Sequence, residues 1–435
     1  MSQPTNVLIR AYNVGFGDCF LLTFRYAADP ERHVLIDFGS TKLPTKGPTS
    51  MKAVADKIAV HCGGKLHMIV VTHRHADHMS GFAGSSGTVI AGLDPDLVVQ
   101  PWTEDPDLDP DATAPAAGAE TGGAGGGQGA AARAVVSRLG EMNTVASRIR
   151  TRASRMQSAA GTPTALVEEI GFLGETNIKN RAAVRNLMKM GKRRVYASFG
   201  TRLPIASVLP GVKIRVLGPP TLDQAPDIAN LATKDAMEYW HLASRMSRRA
   251  GATAEVTALF PDAPTMERTP QAARWLVPQI DRMNAEELLS IVRSIDDALN
   301  NTSLILLFEI GGTRMLFSGD AQIENWRYAL FDAPNAAQIR ADLADTALYK
   351  VGHHGSLNGT PKSMWFGLTR RGGVDKVPRL RTLISTLGGK HGKASRGTEV
   401  PRAKLIDALD ADSDLTTTQT LRRTVDFWRE VEIPF

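Results

Sequence analysis

Apolar residues in this chain gather in short, β-branched runs separated by polar and glycine-rich punctuation, a spacing that predicts strands as its main elements. Residues 7–38 read as two strands joined by a loop containing Asp29-Pro30. Between Ser50 and Val60 the period lengthens, and Met51, Val54, Ala55, Ile58 and Ala59 fall on one helical face. The run His67-Met-Ile-Val-Val-Thr72 is short, bounded and apolar, as expected of a buried strand. Residues 97–102, 213–217, 303–310 and 313–318 read as further strands, with strand ends at 349–351 and 382–386.

Between these strands the pattern changes character. Residues 103–130 turn to Asp, Pro, Ala and Gly and end in Gly122-Gly-Ala-Gly-Gly-Gly-Gln-Gly129, a composition that predicts a flexible loop because it offers too little apolar surface to offset ordering. Residues 133–157 and 179–192 have helical spacing, so 130–203 is predicted to be a basic, mostly helical insertion. Residues 221–299 are predicted to be a second helical insertion; His241 lies there beside Trp240, where packing is the better reading than ligation. The whole, 1–435, is expected to be one α/β domain, with residues 7–100 forming most of its first half and 300–430 its second.

Bulk properties narrow the setting. A chain of 435 residues with 43% hydrophobic and 22% charged positions has a globular composition. No apolar stretch approaches the ~20 residues needed to span a bilayer. The opening Met-Ser-Gln-Pro-Thr-Asn lacks a secretory pattern, so a cytoplasmic location is expected. Two cysteines make no disulfide framework; Cys19 reads as a core residue within an apolar strand, while Cys62 is open to either burial or exposure. The net charge of +6 is unevenly spread: residues 130–203 hold fourteen Lys or Arg against four Asp or Glu, leaving the remainder net acidic. Charge gathered in this way is an electrostatic footprint for a polyanion, and Arg148, Arg150, Arg152 and Arg155 are its candidate substrate contacts.

The densest chemistry is Val71-Thr-His-Arg-His-Ala-Asp-His-Met-Ser-Gly-Phe82, directly after a predicted strand. His73, His75, Asp77 and His78 place three imidazoles and a carboxylate within six residues, although the whole chain has ten histidines. His73 and His75 share a face if the chain is still extended there, and Asp77 and His78 can address a second point beyond a turn. Nitrogen and oxygen donors in two neighbouring groups suit a pair of borderline divalent ions. Further on, Asp320 ends Met315-Leu-Phe-Ser-Gly-Asp320, with Gly319 permitting close backbone approach. His353 and His354 follow another strand end; adjacent side chains diverge, so one is expected to be a ligand and the other a substrate or supporting contact, with His354 favoured as ligand. Gly-x-x-x-x-Gly-Lys-Ser/Thr is absent, which removes a phosphate-loop nucleotidase from consideration.

The pattern Thr-His-x-His-x-Asp-His resembles the signature of the metallo-β-lactamase superfamily. Asn13-Val-Gly-Phe-Gly-Asp-Cys-Phe-Leu-Leu22, Val34-Leu-Ile-Asp-Phe-Gly39, Lys350-Val-Gly-His-His-Gly-Ser356 and Gly389-Lys-His-Gly-Lys-Ala-Ser395 extend the resemblance over about half of the chain. Their order is similar to that of the branch holding the ComEC-type competence-protein hydrolase domain and phosphorylcholine esterase. The resemblance implies a four-layer αββα metallo-β-lactamase sandwich with long helical and Gly-rich insertions. It also implies two divalent ions, zinc or else manganese: one held by His73, His75 and His354, the other by Asp77, His78 and His391, with Asp320 bridging. Many superfamily members place a ligand histidine between the first motif and the bridging aspartate; here only His241 lies in that interval, within the insertion.

Such a centre implies a hydrolase using a hydroxide shared by two metals. Asp77 and His353 are the candidate catalytic groups, Asp77 to accept or pass a proton and His353 to protonate a leaving group or contact a phosphoryl oxygen. Asp18 and Asp37 read as supporting or turn-forming. The expected substrate is a phosphodiester, nucleic acid first. The alternatives are a small diester of the phosphorylcholine or cyclic-nucleotide kind, or a non-catalytic metal-binding interaction protein, which the scarcity of cysteine disfavours.

Overall fold

A computed structural model describes residues 3–106, 114–115, 180–225, 299–356, 359–392, 394 and 399–435. These residues belong to one compact unit assembled from three stretches of chain. The expected loop at 103–130, apart from its first residues and 114–115, lies outside them. So do the helix at 133–157 with its four arginines and nearly all of 221–299.

Strands β1 (Pro4–Tyr12), β2 (Cys19–Tyr26), β3 (Arg32–Phe38), β4 (Met68–Val70), β5 (Leu97–Pro101) and β6 (Arg193–Ala197) line up in that order in one sheet. Strands β7 (Lys213–Gly218), β8 (Ile305–Ile310), β9 (Thr313–Phe317), β10 (Thr346–Lys350), β11 (Arg381–Ile384) and β12 (Asp414–Thr417) form the second. The chain then returns: β13 (Trp428–Pro434) pairs antiparallel with β1, from Asn6↔Pro434 to Tyr12↔Trp428, making the first sheet seven-stranded. The C-terminal strand, most of it beyond the 300–430 expected for the second half, therefore completes the first.

Side-chain alternation sorts the strands into layers. Phe20, Leu22, Val34, Ile36, Met68 and Val70 join Leu306, Phe308, Met315, Phe317, Leu348 and Leu383 in a core shared by both sheets. Their neighbours Leu21, Leu35, Ile69 and Val71 point the other way, onto the helices Met51–His61, Gly84–Gly92 and Arg181–Leu187. On the second sheet Leu307, Leu316, Tyr349 and Ile384 likewise pack outward, against the helices Ala336–Ala344 and Lys362–Gly367. Strands buried on both faces explain the continuous apolar runs in the sequence. The order is helix, sheet, sheet, helix. Among the described residues no helix is long and apolar enough to cross a membrane.

Helix Met51–His61 forms as its period predicts, with the Ser50 side chain accepting from the Ala53 N–H at 3.2 Å and Val54, Ala55 and Ile58 buried. Two expectations need correction. Residues 7–38 contain three strands, because β1 breaks at the buried turn Asn13-Val-Gly-Phe-Gly-Asp18, where Gly15 (φ 78°) and Gly17 (φ 154°) reverse the chain. Residues 180–203 form only the short helix Arg181–Leu187 and then β6, the edge of the first sheet, so the basic segment is neither wholly helical nor wholly an insertion. Cys19 and Cys62 are both buried and unbridged.

Candidate metal centre

All the site-bearing loops leave the sheets at one kind of place, the carboxyl ends of parallel strands. β3, β4 and β5 run parallel in the first sheet, as do β9, β10 and β11 in the second. Asp37 lies at the end of β3, residues 72–79 follow β4, Asp320 follows β9, His353 and His354 follow β10, and Ser385 follows β11. Close backbone approach joins the two halves: at Gly319 (φ 49°) a Cβ would stand 2.7 Å from the Cβ of Thr72. This is the role anticipated for that glycine.

Four groups converge here. One donor atom from each of Asp77, His78, Asp320 and His354 lies within 4.8 Å of all the others, and all four residues are buried. His78 Nε2 is 3.1 Å from Asp320 Oδ2, and His354 Nε2 is 3.1 Å from Asp77 Oδ2 and 3.6 Å from Asp320 Oδ2. Beside them His73 Nε2 and His75 Nδ1 approach to 2.9 Å, and the His73 ring lies 4.2 Å from that of His78. Donors bound to one zinc at ~2.0–2.2 Å sit only ~3–4 Å from each other, so these spacings suit a metal. Asp77 Oδ1 and His353 Nδ1 are buried with no hydrogen-bond partner, as expected of polar atoms kept for a ligand or substrate. The donor set thus fits a divalent cation.

Supporting contacts fix which nitrogen faces inward. His354 Nδ1 is 3.0 Å from the Ser385 carbonyl, which can only accept, so Nδ1 carries the proton and Nε2 turns to the carboxylates. His78 Nδ1 is 2.8 Å from Asp37 Oδ2, leaving its Nε2 towards Asp320. Asp37 also accepts from Thr72 N and Thr72 Oγ1, both at 2.7 Å, and adopts φ 53° to do so. Thr72 Oγ1 lies 3.2 Å from His73 Nδ1. His353 and His354 are both left-handed (φ 48° and 50°), a conformation unfavourable for two successive non-glycine residues. It is held by the His353 N–H donating to Gly319 O at 3.2 Å and Asp320 Oδ1 at 3.1 Å.

The electrostatics divide the histidines. Burial pushes His78 and His354 down, but the carboxylates outweigh it: Asp320 and Asp37 raise His78 well above its usual value, and Asp320 and Asp18 raise His354. Burial, reinforced by His78 and His75, holds His73 well below the usual range. His353 and His391 are pushed down to about 4, mainly by burial. Burial would raise Asp320, yet His78 and His354 hold it well below the carboxylate norm.

The anticipated residues therefore gather, with one regrouping. His354 stands with Asp77, His78 and Asp320, rather than with His73 and His75 as the resemblance implied. His391 packs edge-on to Phe16 at 6.4 Å, Phe16 lies 4.6 Å from the His354 ring, and the His391 imidazole is within electrostatic reach of His353, His354 and Asp77. Asp18 and Asp37 are supporting groups, as read from sequence. Lys350 has the least expected place. Its side chain is 2% exposed, and its ammonium pairs with Asp18 and lies 3.9 Å from Asp320 Oδ1. Its only sequence signal is a lysine closing an apolar strand three residues before two histidines.

Arg74, between the two histidines of the motif, makes a buried two-pronged pair with Glu104, at 2.8 Å from Nε and 2.6 Å from a terminal nitrogen. The pair ties the loop carrying His73 and His75 to the turn after β5. Comparison of the sequence with protein-family models and with curated proteins found no match to either.

Proposed function

We propose that this chain is a dinuclear-metal hydrolase of the metallo-β-lactamase fold that cleaves phosphodiesters, with nucleic acid as its substrate. The observation that carries this reading is the buried Asp77–His78–Asp320–His354 group with His73 and His75 against it. All the donors are nitrogen and oxygen and none is thiolate, as in catalytic rather than structural centres. Two divalent ions, zinc or manganese, would supply charge neutralisation at the phosphoryl oxygens and lower the pKa of water.

The chain's own groups do the rest. His73 and His75 would hold one ion and Asp77, His78 and His354 the other, with Asp320 serving both. Asp77 Oδ1, without a hydrogen-bond partner, accepts a proton from the attacking water. Asp77 then gives that proton to the leaving oxygen, while His353, kept neutral by burial and with Nδ1 unpartnered, contacts a phosphoryl oxygen. A polynucleotide is favoured over a small diester by the basic excess of residues 130–203. Half of those fourteen cations, from Arg181 to Arg202, lie on the described helix, β6 and the loops flanking them.

The test is hydrolysis of bis-p-nitrophenyl phosphate, single- and double-stranded DNA and RNA by purified protein. Activity should vanish with chelator and return with zinc or manganese. Polynucleotide cleavage should fall steeply with salt, and joint replacement of Arg148, Arg150, Arg152 and Arg155 by Ala should flatten that dependence while sparing the small diester. Metal-loaded protein inactive on every diester would end this reading; small-diester turnover alone would replace the substrate.

A further inference from the structure

Beside the main group lies a second constellation able to hold a cation. Donor atoms of Asp18, Asp37 and His78 lie within 4.8 Å of one another, all buried, and His78 belongs to both groups. Asp18 Oδ2 is 3.8 Å from His78 Nδ1, and Asp18 Oδ1 is 3.5 Å from His354 Nδ1. The loop is pinned in place, since Asp18 N–H donates to Asp77 O at 2.9 Å and Gly39 N–H donates to Asp18 O at 3.1 Å. A divalent ion settling there would compete with Asp37 for Nδ1 of His78 and disturb the nitrogen that faces Asp320.

Lys350 stands at the Asp18 side of that group. It is the last residue of β10, and strand alternation puts it on the face of Leu348, towards the space between the sheets. Its stem crosses the Phe20 ring, with Nζ 5.7 Å from the centroid. Nζ pairs with Asp18 Oδ2 and lies 3.4 Å from the Gly319 carbonyl. A lysine this buried is costly unless an anion compensates it, and the Asp18 carboxylate is equally costly without a cation.

We propose that Lys350 is a built-in monovalent cation that neutralises Asp18 and so keeps divalent metal out of the Asp18–Asp37–His78 group. Lys350 is thus a positioning residue, acting on the metals through Asp18 and His78. This inference rests on the chain being a metal protein. It concerns how many ions bind and where, which the hydrolytic reading does not fix.

Zinc stoichiometry tests it, measured by elemental analysis after equilibration with zinc and gel filtration, with circular dichroism to check folding. Lys350→Met keeps length and removes charge, so Asp18 is left seeking a cation and the variant should carry one more zinc per chain than the wild type. Asp18→Asn and the neutral pair Lys350→Met/Asp18→Asn should both keep the wild-type count. An unchanged count in Lys350→Met overturns the proposal. So does the loss of one zinc in Asp18→Asn, which would make Asp18 a ligand of the working centre. If Lys350→Met does not fold, Asp18→Asn and the double variant, which leaves no buried charge unpaired, decide alone. Wild-type protein that binds no zinc would instead strike the metal reading itself.

Discussion

Strands β1–β6 and β7–β12 follow one plan: two antiparallel pairings, then three parallel ones. In each half the third strand ends near an aspartate, Asp37 or Asp320, and the fourth leads into histidines, His73–His78 or His353–His354. The two halves then diverge in use. Asp37 is a support, holding Thr72 and His78 Nδ1, whereas Asp320 enters the donor group itself. The first half concentrates its donors in one loop, and the second spreads them over separate turns. Equivalent positions on a repeated scaffold have been given unequal work, and the inequality can be tested residue by residue.

The largest effect is expected where the halves meet. Asp77→Ala and Asp320→Ala remove one carboxylate from each half while leaving the shared apolar core alone. Each should cost at least several kcal/mol of transition-state stabilisation, ~10³-fold in diester hydrolysis, and should lower zinc content. Asp320→Ala with wild-type turnover would confine the centre to the first half and reduce the second to scaffold.

A smaller loss is expected at Asp37. Asp37→Asn keeps the shape but weakens the grip on His78 Nδ1, and supporting carboxylates of this kind are worth ~10–100-fold in metal affinity. Competition with a zinc chelator gives the number. An affinity unchanged within error would mean that the Asp37–His78 contact does not orient the ligand.

How much of this was legible follows the same division. The first-half donors were readable because covalent adjacency packs them into six residues. Those of the second half were readable only as single residues at strand ends, and their grouping depends on the fold. His354 joins Asp77 and His78 because of where two left-handed residues and the Ser385 carbonyl aim it, and no sequence period encodes that. Alternation disclosed most strands. It missed the break between β1 and β2, although Asn13-Val-Gly-Phe-Gly-Asp18 carries turn residues, and it could not disclose that β13 would pair with β1. The partner of an edge strand is a long-range choice made by packing. The burial of Lys350 was not legible for a related reason: a lysine at a strand end ordinarily reaches solvent.

Acid should also separate the halves. His33, His61 and His67 belong to the first half, outside the metal centre, and burial pushes each down to about 4. Such groups stay neutral when folded but take up protons when unfolded below ~6.5, so stability is full above that pH and declines as pH falls towards 4. In the second half His353 and His391 are pushed down as far, but they lie at the donor group, where a divalent ion in the zinc-loaded protein would oppose their protonation. Hydrogen exchange between pH 7 and 4.5 should therefore show protection lost first around β3, β4 and helix Met51–His61. Earlier loss in β8–β11 would place the acid-labile element elsewhere.

The smallest effect is expected at Ser385, the second-half counterpart of Asp37 in what it does for a ligand. Asp37 orients His78 through its side chain, but Ser385 orients His354 through its backbone carbonyl, which no substitution removes. The Ser385 hydroxyl is engaged elsewhere, donating to Gly17 O at 2.6 Å. Ser385→Ala should thus cost about 1 kcal/mol of stability, the worth of one buried hydrogen bond, and leave zinc affinity within roughly threefold of wild type. Chemical denaturation and the chelator competition used for Asp37→Asn read the two quantities separately. A drop in affinity as large as that of Asp37→Asn would show that the hydroxyl, by holding the Gly17 loop and with it Asp18, orients the centre as strongly as a carboxylate does. The supports of the two halves would then be equal after all.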